Sequence, residues 1–126
     1  MCDFSDFREP EMTKVRPVVV VSPKLPYRGE IVAVVPLSTT APRHELPFCY
    51  RLARNYHPSE AEGLPCWAKA DMVANIARSR LQGFKVGRRR WIYPQVSEQD
   101  LNGIRFAVLR GLGLDRLLKT CDPDAI

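Results

Sequence analysis

Pro17-Val18-Val19-Val20-Val21-Ser22-Pro23 is the stretch that decides the fold. Four consecutive β-branched residues favour extended backbone, and the flanking prolines hold the run to strand length. No polar residue alternates within it, so it reads as a strand buried on both faces. Pro23 to Arg28 carries two prolines and leads to Gly29, which marks a turn. Glu30 to Leu37, rich in Val and Ile, is then a second strand. Phe48 to Leu52 reads as a third, Trp67 to Val73 as a fourth that runs on through Ala74 to Leu81 into a turn or short helix, and Arg88 to Tyr93 as the last. The stretches 38–47 and 55–65 are loops, the second with room for one helical turn after Pro58.

Ser97 to Leu112 is the clearest helix. Ser97 suits the N-cap, and Glu98 and Asp100 fall in the first turn, where the helix dipole favours anions. Leu101, Ile104, Val108 and Leu112 recur on one face, and Gly111 and Gly113 suit the C-terminus. Phe106 and Leu109 lie off that stripe. With Leu114, Leu117 and Leu118, in a possible second short helix, they leave more apolar surface than one small barrel buries. The expected fold is mainly β with α, a small barrel under a C-terminal helix, in one domain over 1–126 with a loose tail at 119–126.

Lys and Arg number 19 against 14 Asp and Glu, a net charge of +5 that favours polyanionic partners. No apolar run approaches the ~20 residues of a membrane span and no signal peptide precedes the first strand, so a soluble cytoplasmic protein is expected. Cys2, Cys49, Cys66 and Cys121 form no C-x-x-C pair, and His44 and His57 are far apart. This pattern speaks against zinc and for reduced thiols. A nucleophilic Cys66–His57 pair is chemically conceivable, but nothing local marks it.

Three polar segments close the strand-like runs: Glu11-Met12-Thr13-Lys14-Val15-Arg16-Pro17, Val34-Val35-Pro36-Leu37-Ser38-Thr39-Thr40 and Trp67-Ala68-Lys69-Ala70-Asp71-Met72. Together they resemble the PemK/MazF toxins of bacterial type II toxin–antitoxin pairs, over roughly Asp3 to Leu118. The resemblance implies an SH3-like barrel of the PemK/MazF/CcdB kind, usually a homodimer, that cuts RNA without metal or cofactor. It also implies a cognate antitoxin with an acidic C-terminal segment.

Metal-free RNA cleavage needs a base for the 2′-hydroxyl, an acid for the leaving 5′-oxygen and donors for the phosphate. By the resemblance, Glu11 is the base and Arg16 the phosphate fork. Ser38 stands where the family usually has Thr; its hydroxyl and the nearby backbone N–H groups grip a phosphate or orient a carboxylate, and Thr39 beside it binds RNA. Lys69 is an electrostatic stabiliser or acid, and Asp71 orients Arg16 or partners the base; strand side chains alternate, so the two, being two residues apart, are expected on one face. Lys14, Arg78 and Arg80 contact RNA. Arg88, Arg89 and Arg90, interleaved with Phe84, Trp91 and Tyr93, resemble a further RNA-gripping surface. Taken singly, each feature also fits a plainer role: charges flanking a strand, a turn-capping Ser-Thr pair, a cross-strand ion pair, a solvated basic face.

Besides Ser38, the chain departs from the family in three places. The first strand is shortened, Pro10 stands where some relatives have His, and Lys69 replaces Arg. The alternatives to an endoribonuclease are a non-enzymatic poison that binds a protein such as DNA gyrase, as CcdB does, and a noncatalytic nucleic-acid-binding barrel. The convergent set Glu11, Arg16, Ser38 and Asp71 favours the enzyme.

Overall fold

The computed structural model describes residues 1–120, with side chains to Leu118. β1 (Cys2–Asp3) pairs with β2 (Val15–Arg16), antiparallel. Past Pro17 the chain continues as β3 (Val18–Val20), then β4 (Ile31–Ser38), β5 (Cys49–Arg51), β6 (Trp67–Lys69), β7 (Ala74–Ala77), β8 (Phe84–Lys85) and β9 (Trp91–Ile92). α1 spans Glu98–Gly111 and α2 Arg116–Thr120. The tail expected over 119–126 begins within α2, and 121–126 lie outside the described residues. No helix among the described residues is long and apolar enough to cross a membrane.

β4 is the axis. On one edge it pairs with β3, Val18 opposite Pro36 and Val20 opposite Val34. On the other it pairs with β7 through Ile31 to Val34 and with β6 through Leu37 and Ser38. β5 extends the sheet beyond β6. The pairing is an open, branched antiparallel sheet flanked by the β1–β2 and β8–β9 ribbons, mostly β with a C-terminal helix.

The break between β6 and β7 has a cause in the sequence. Alternate residues of a strand address opposite neighbours. Leu37 N donates to Pro17 O on the β3 side at 2.9 Å. Residue 36 therefore faces the β6–β7 side, and Pro36 has no N–H to offer. There the chain leaves the ladder as a 3-10 turn over Ala70–Met72. The expected strand from Trp67 to Val73 is thus two strands with a turn between them.

Side-chain parity along β4 divides two cores. Val35 and Leu37 join Val19, Val21, Leu52, Cys66, Ala68 and Ala70 beneath Ile104 and Ala107 of α1. Val34 faces the other way and packs with Cys2, Phe4 and Ile76. That is why the second half of β4 is buried on both faces. β3 is less enclosed than its composition implies, since Val20 is exposed on the outer edge.

α1 carries an unexpected feature. Asp100, placed by the sequence in the first turn as an acid that complements the helix dipole, is fully buried. Its carboxylate accepts from Tyr50 Oη at 2.8 Å, from Tyr56 Oη at 2.7 Å and from Ala53 N at 3.0 Å. Ser97 Oγ caps the helix by accepting from Asp100 N at 3.1 Å. Burial, then the hydrogen bond to Asp100, push the Tyr50 hydroxyl up to about 12, so it stays a donor. Tyr50 reaches Asp100 because its ring lies directly against Gly103, where no Cβ intervenes. Arg105 Nε donates to Val21 O at 2.8 Å and ties the same helix to the sheet. Leu112, assigned by periodicity to the buried stripe, is 58% exposed, and Ala107 takes its place in the core.

Candidate functional site

The Arg16–Ser38 pair is the centre of the site. Extending the β3–β4 register through the Leu37–Pro17 bond sets Arg16 across from Ser38. Both line a cavity of about 150 Å³ with Thr39, Asn55, His57 and Cys66. Arg16 Nε is buried and has no hydrogen-bond partner among the described residues. An unmet buried donor costs on the order of 1–3 kcal/mol, and more when charged, so an anion is the natural complement. Ser38 is buried, and its Oγ accepts from Thr40 N at 3.1 Å, which leaves the hydroxyl hydrogen free to donate.

The far wall comes from a loop that carried no recognisable pattern in the sequence. Asn55 is buried and riveted. Its Nδ2 donates to Glu60 Oε2 at 2.6 Å, and its Oδ1 accepts from His57 N at 2.9 Å. Ser59 N donates to His57 Nδ1 at 3.1 Å, so the neutral ring carries its proton on Nε2. The imidazole meets Phe84 edge-on at 4.6 Å. The local signal, legible only afterwards, is an Asx turn at Asn55-Tyr56-His57. Cys66 and His57 do share this cavity, but burial pushes the thiol up to about 11 and keeps it protonated. A thiol in that state is a poor nucleophile.

The other candidates stand outside the cavity lining. Glu11 is exposed on the β1–β2 loop, where its Oε2 accepts from Arg8 N at 2.6 Å. Lys14 is exposed just before β2. Lys69 ends β6 opposite Cys49, and Asp71 lies in the 3-10 turn. The strand-alternation argument that put Lys69 and Asp71 on one face therefore does not apply. No ion pair joins Asp71 or Glu11 to Arg16 among the described residues. Burial, then Asp71, raise the Cys49 thiol while Lys69 lowers it, so these two charges flank Cys49.

Arg78 is exposed at a second 3-10 turn over Arg78–Arg80. Arg80 is engaged within the fold: Nη2 donates to Asp3 O at 2.9 Å and pairs with Asp6, and the guanidinium lies over Phe7. The three arginines 88–90 are exposed at the β8–β9 turn, where Gly87 and Arg89 adopt positive φ.

The model of the PemK-like, MazF-like toxins of type II toxin–antitoxin systems matches residues 1–108. The chain belongs to this family. Among solved structures, this PemK/MazF-like toxin is similar to an endoribonuclease in complex with its cognate antitoxin from a mycobacterial species. The two are 24% identical with a TM-score of 0.53, over 79% of this chain and 82% of that one. It is also similar to an endoribonuclease from mycobacterial species, at 23% identity, a TM-score of 0.53 and the same coverage. At these identities the likeness speaks for the fold. No curated protein matches the toxin.

Proposed function

We propose that this toxin is a metal-independent, sequence-selective endoribonuclease that arrests growth by cutting RNA. The observation that carries the reading is the buried, unpaired Arg16 Nε beside the buried Ser38 hydroxyl, a preformed grip for a phosphate. A base takes the 2′-hydroxyl proton, O2′ bonds to phosphorus, and the P–O5′ bond breaks with a proton passing to O5′. The products are a 2′,3′-cyclic phosphate and a 5′-hydroxyl. Arg16 and Ser38, with Thr39 beside them, hold the charge that builds on the phosphoryl oxygens. Glu11, on the loop that leads into Arg16, serves as the base for the 2′-hydroxyl when RNA is seated. Lys69 supports the phosphate backbone from the adjoining strand, and Asp71 orients the cationic groups around it. Lys14 and Arg78 meet flanking phosphates, while Arg80, expected from the sequence to do the same, is held by Asp3 and Asp6.

Assembly and control follow from the same surfaces. Phe106, Leu112 and Leu114 are exposed apolar residues at the end of α1 and beyond it. A two-fold homodimer would cover them. A basic toxin of net charge +5 is suited to an antitoxin with an acidic segment that folds across the site. A cytoplasmic location fits both an RNA substrate and such a partner.

The deciding experiment is incubation of purified toxin with a long RNA in EDTA, followed by end-mapping. Cleavage should persist and leave cyclic-phosphate ends at a recurring sequence. Cleavage that stops with chelator would overturn the mechanism. The dimer should sediment near twice the 14.3 kDa chain mass and shift toward monomer in Leu114→Asp.

A further inference from the structure

We propose that Trp67, flanked by Arg51, forms a base-stacking subsite for the nucleotide next to the scissile phosphate. The proposal rests on the ribonuclease reading of the Arg16–Ser38 site.

Cross-strand register is the first support. Ser38 is the partner of Trp67, and Trp67 the partner of Arg51. With Arg16 across from Ser38, the four residues form one row over four neighbouring strands. Residues paired in this way project from the same face. Strands lie about 4.8 Å apart, so the indole stands one strand spacing from the hydroxyl that grips phosphate. A base on an adjoining nucleotide falls within its reach.

The second support is what Trp67 does not do. Tryptophan is ordinarily used to fill cores. Trp67 is partly exposed and belongs to neither of the two cores, while its neighbours Ala68 and Ala70 are fully buried in one. The Arg51 guanidinium sits 5.8 Å from its ring centroid. Arg51 and Lys69 make no ion pair among the described residues. A partly exposed ring with one cation over it, and a second, Lys69, two residues on along the same strand, is a combination that holds single-stranded nucleic acid, with rings for bases and charges for phosphates. The same charges argue against an apolar partner.

The test uses a labelled 2′-O-methyl RNA oligonucleotide, which binds without reacting; it contains the mapped cleavage sequence or, if no RNA is cut, a mixed sequence of the same length. Trp67→Ala should weaken its binding about ten-fold or more, while Trp67→Phe stays within about three-fold. An oligonucleotide abasic at the stacked position should bind wild type as poorly as it binds Trp67→Ala, a signature that loss of packing does not produce. Thermal midpoints should remain close to wild type, since Trp67 supports neither core. Unchanged affinity in Trp67→Ala, or equal sensitivity of Ala and Phe variants with a lowered midpoint, would overturn the subsite. Loss of antitoxin binding with intact RNA binding would assign this face to a protein and overturn it as well. If wild type binds through Trp67 but never cleaves, the ribonuclease reading fails and the subsite stands. If it neither cleaves nor binds, both fail.

Discussion

The two ends of β6 look alike in sequence and differ in the fold. At the Cys66 end, Arg16 and Ser38 face each other across paired strands, partly or fully buried, beside a cavity. At the Lys69 end the strand has parted from β4 and keeps only its pairing with β5, and Asp71 is exposed in a 3-10 turn. A charge in the first setting is desolvated and held. A charge in the second is screened and free to move. The comparison teaches that polar residues at strand ends acquire chemical weight from the backbone that fixes them.

Both ends hang on the frame around Asp100, so the largest effect is expected there. Asp100→Ala would strand Tyr50 Oη, Tyr56 Oη and the Ala53 amide without their acceptor. A loss of about 3 kcal/mol or more is expected, read by denaturant unfolding. Activity should fall only in proportion to the unfolded fraction, which separates frame from site.

Next comes Arg16→Ala, which should lower RNA cleavage on the order of a hundred-fold or more while the unfolding midpoint is not lowered, since an unmet buried donor is removed. An active Arg16→Ala enzyme would erase the distinction between the two ends.

Gly103→Ala ranks third. Alanine normally favours a helix interior by up to about 1 kcal/mol. Here the added methyl meets the Tyr50 ring, so the variant should be less stable by about 1–2 kcal/mol. Pairing it with Tyr50→Phe in a double-mutant cycle should show coupling.

The smallest effect sharpens the contrast. Asp71→Asn should change kcat/KM by less than about ten-fold, because no hydrogen bond or ion pair ties Asp71 to Arg16 among the described residues. A loss as large as that of Arg16→Ala would mean that RNA binding or assembly brings the two ends together.

Much of the frame was legible because it depends on local chemistry. The valine run, the second Val/Ile strand and the Ser97-capped helix follow from side-chain shape, periodicity and capping. The break between β6 and β7 was not read from Pro36, because the direction of its missing N–H became readable only once Leu37 was seen to bond Pro17. The Asp100 carboxylate could not be read as buried, since an acid at the third helical position is usually solvated. It becomes a hub only when Tyr50 and Tyr56, over forty residues away, converge on it. His57 and Asn55 were illegible as cavity residues for the same reason, for their loop obeys its own turn chemistry.

The sequence by itself determined the family, the central valine strands, the capped helix and the residue types the chemistry needs, because these are set by composition and by neighbours a few residues apart. Only the tertiary structure decided which of those residues share a cavity, which are spent on holding the fold, as Arg80 is on Asp3 and Asp6, and which row Trp67 joins. The reason is physical: burial, register and pairing arise between segments distant in the chain, and a side chain's electrostatic worth is fixed by what surrounds it.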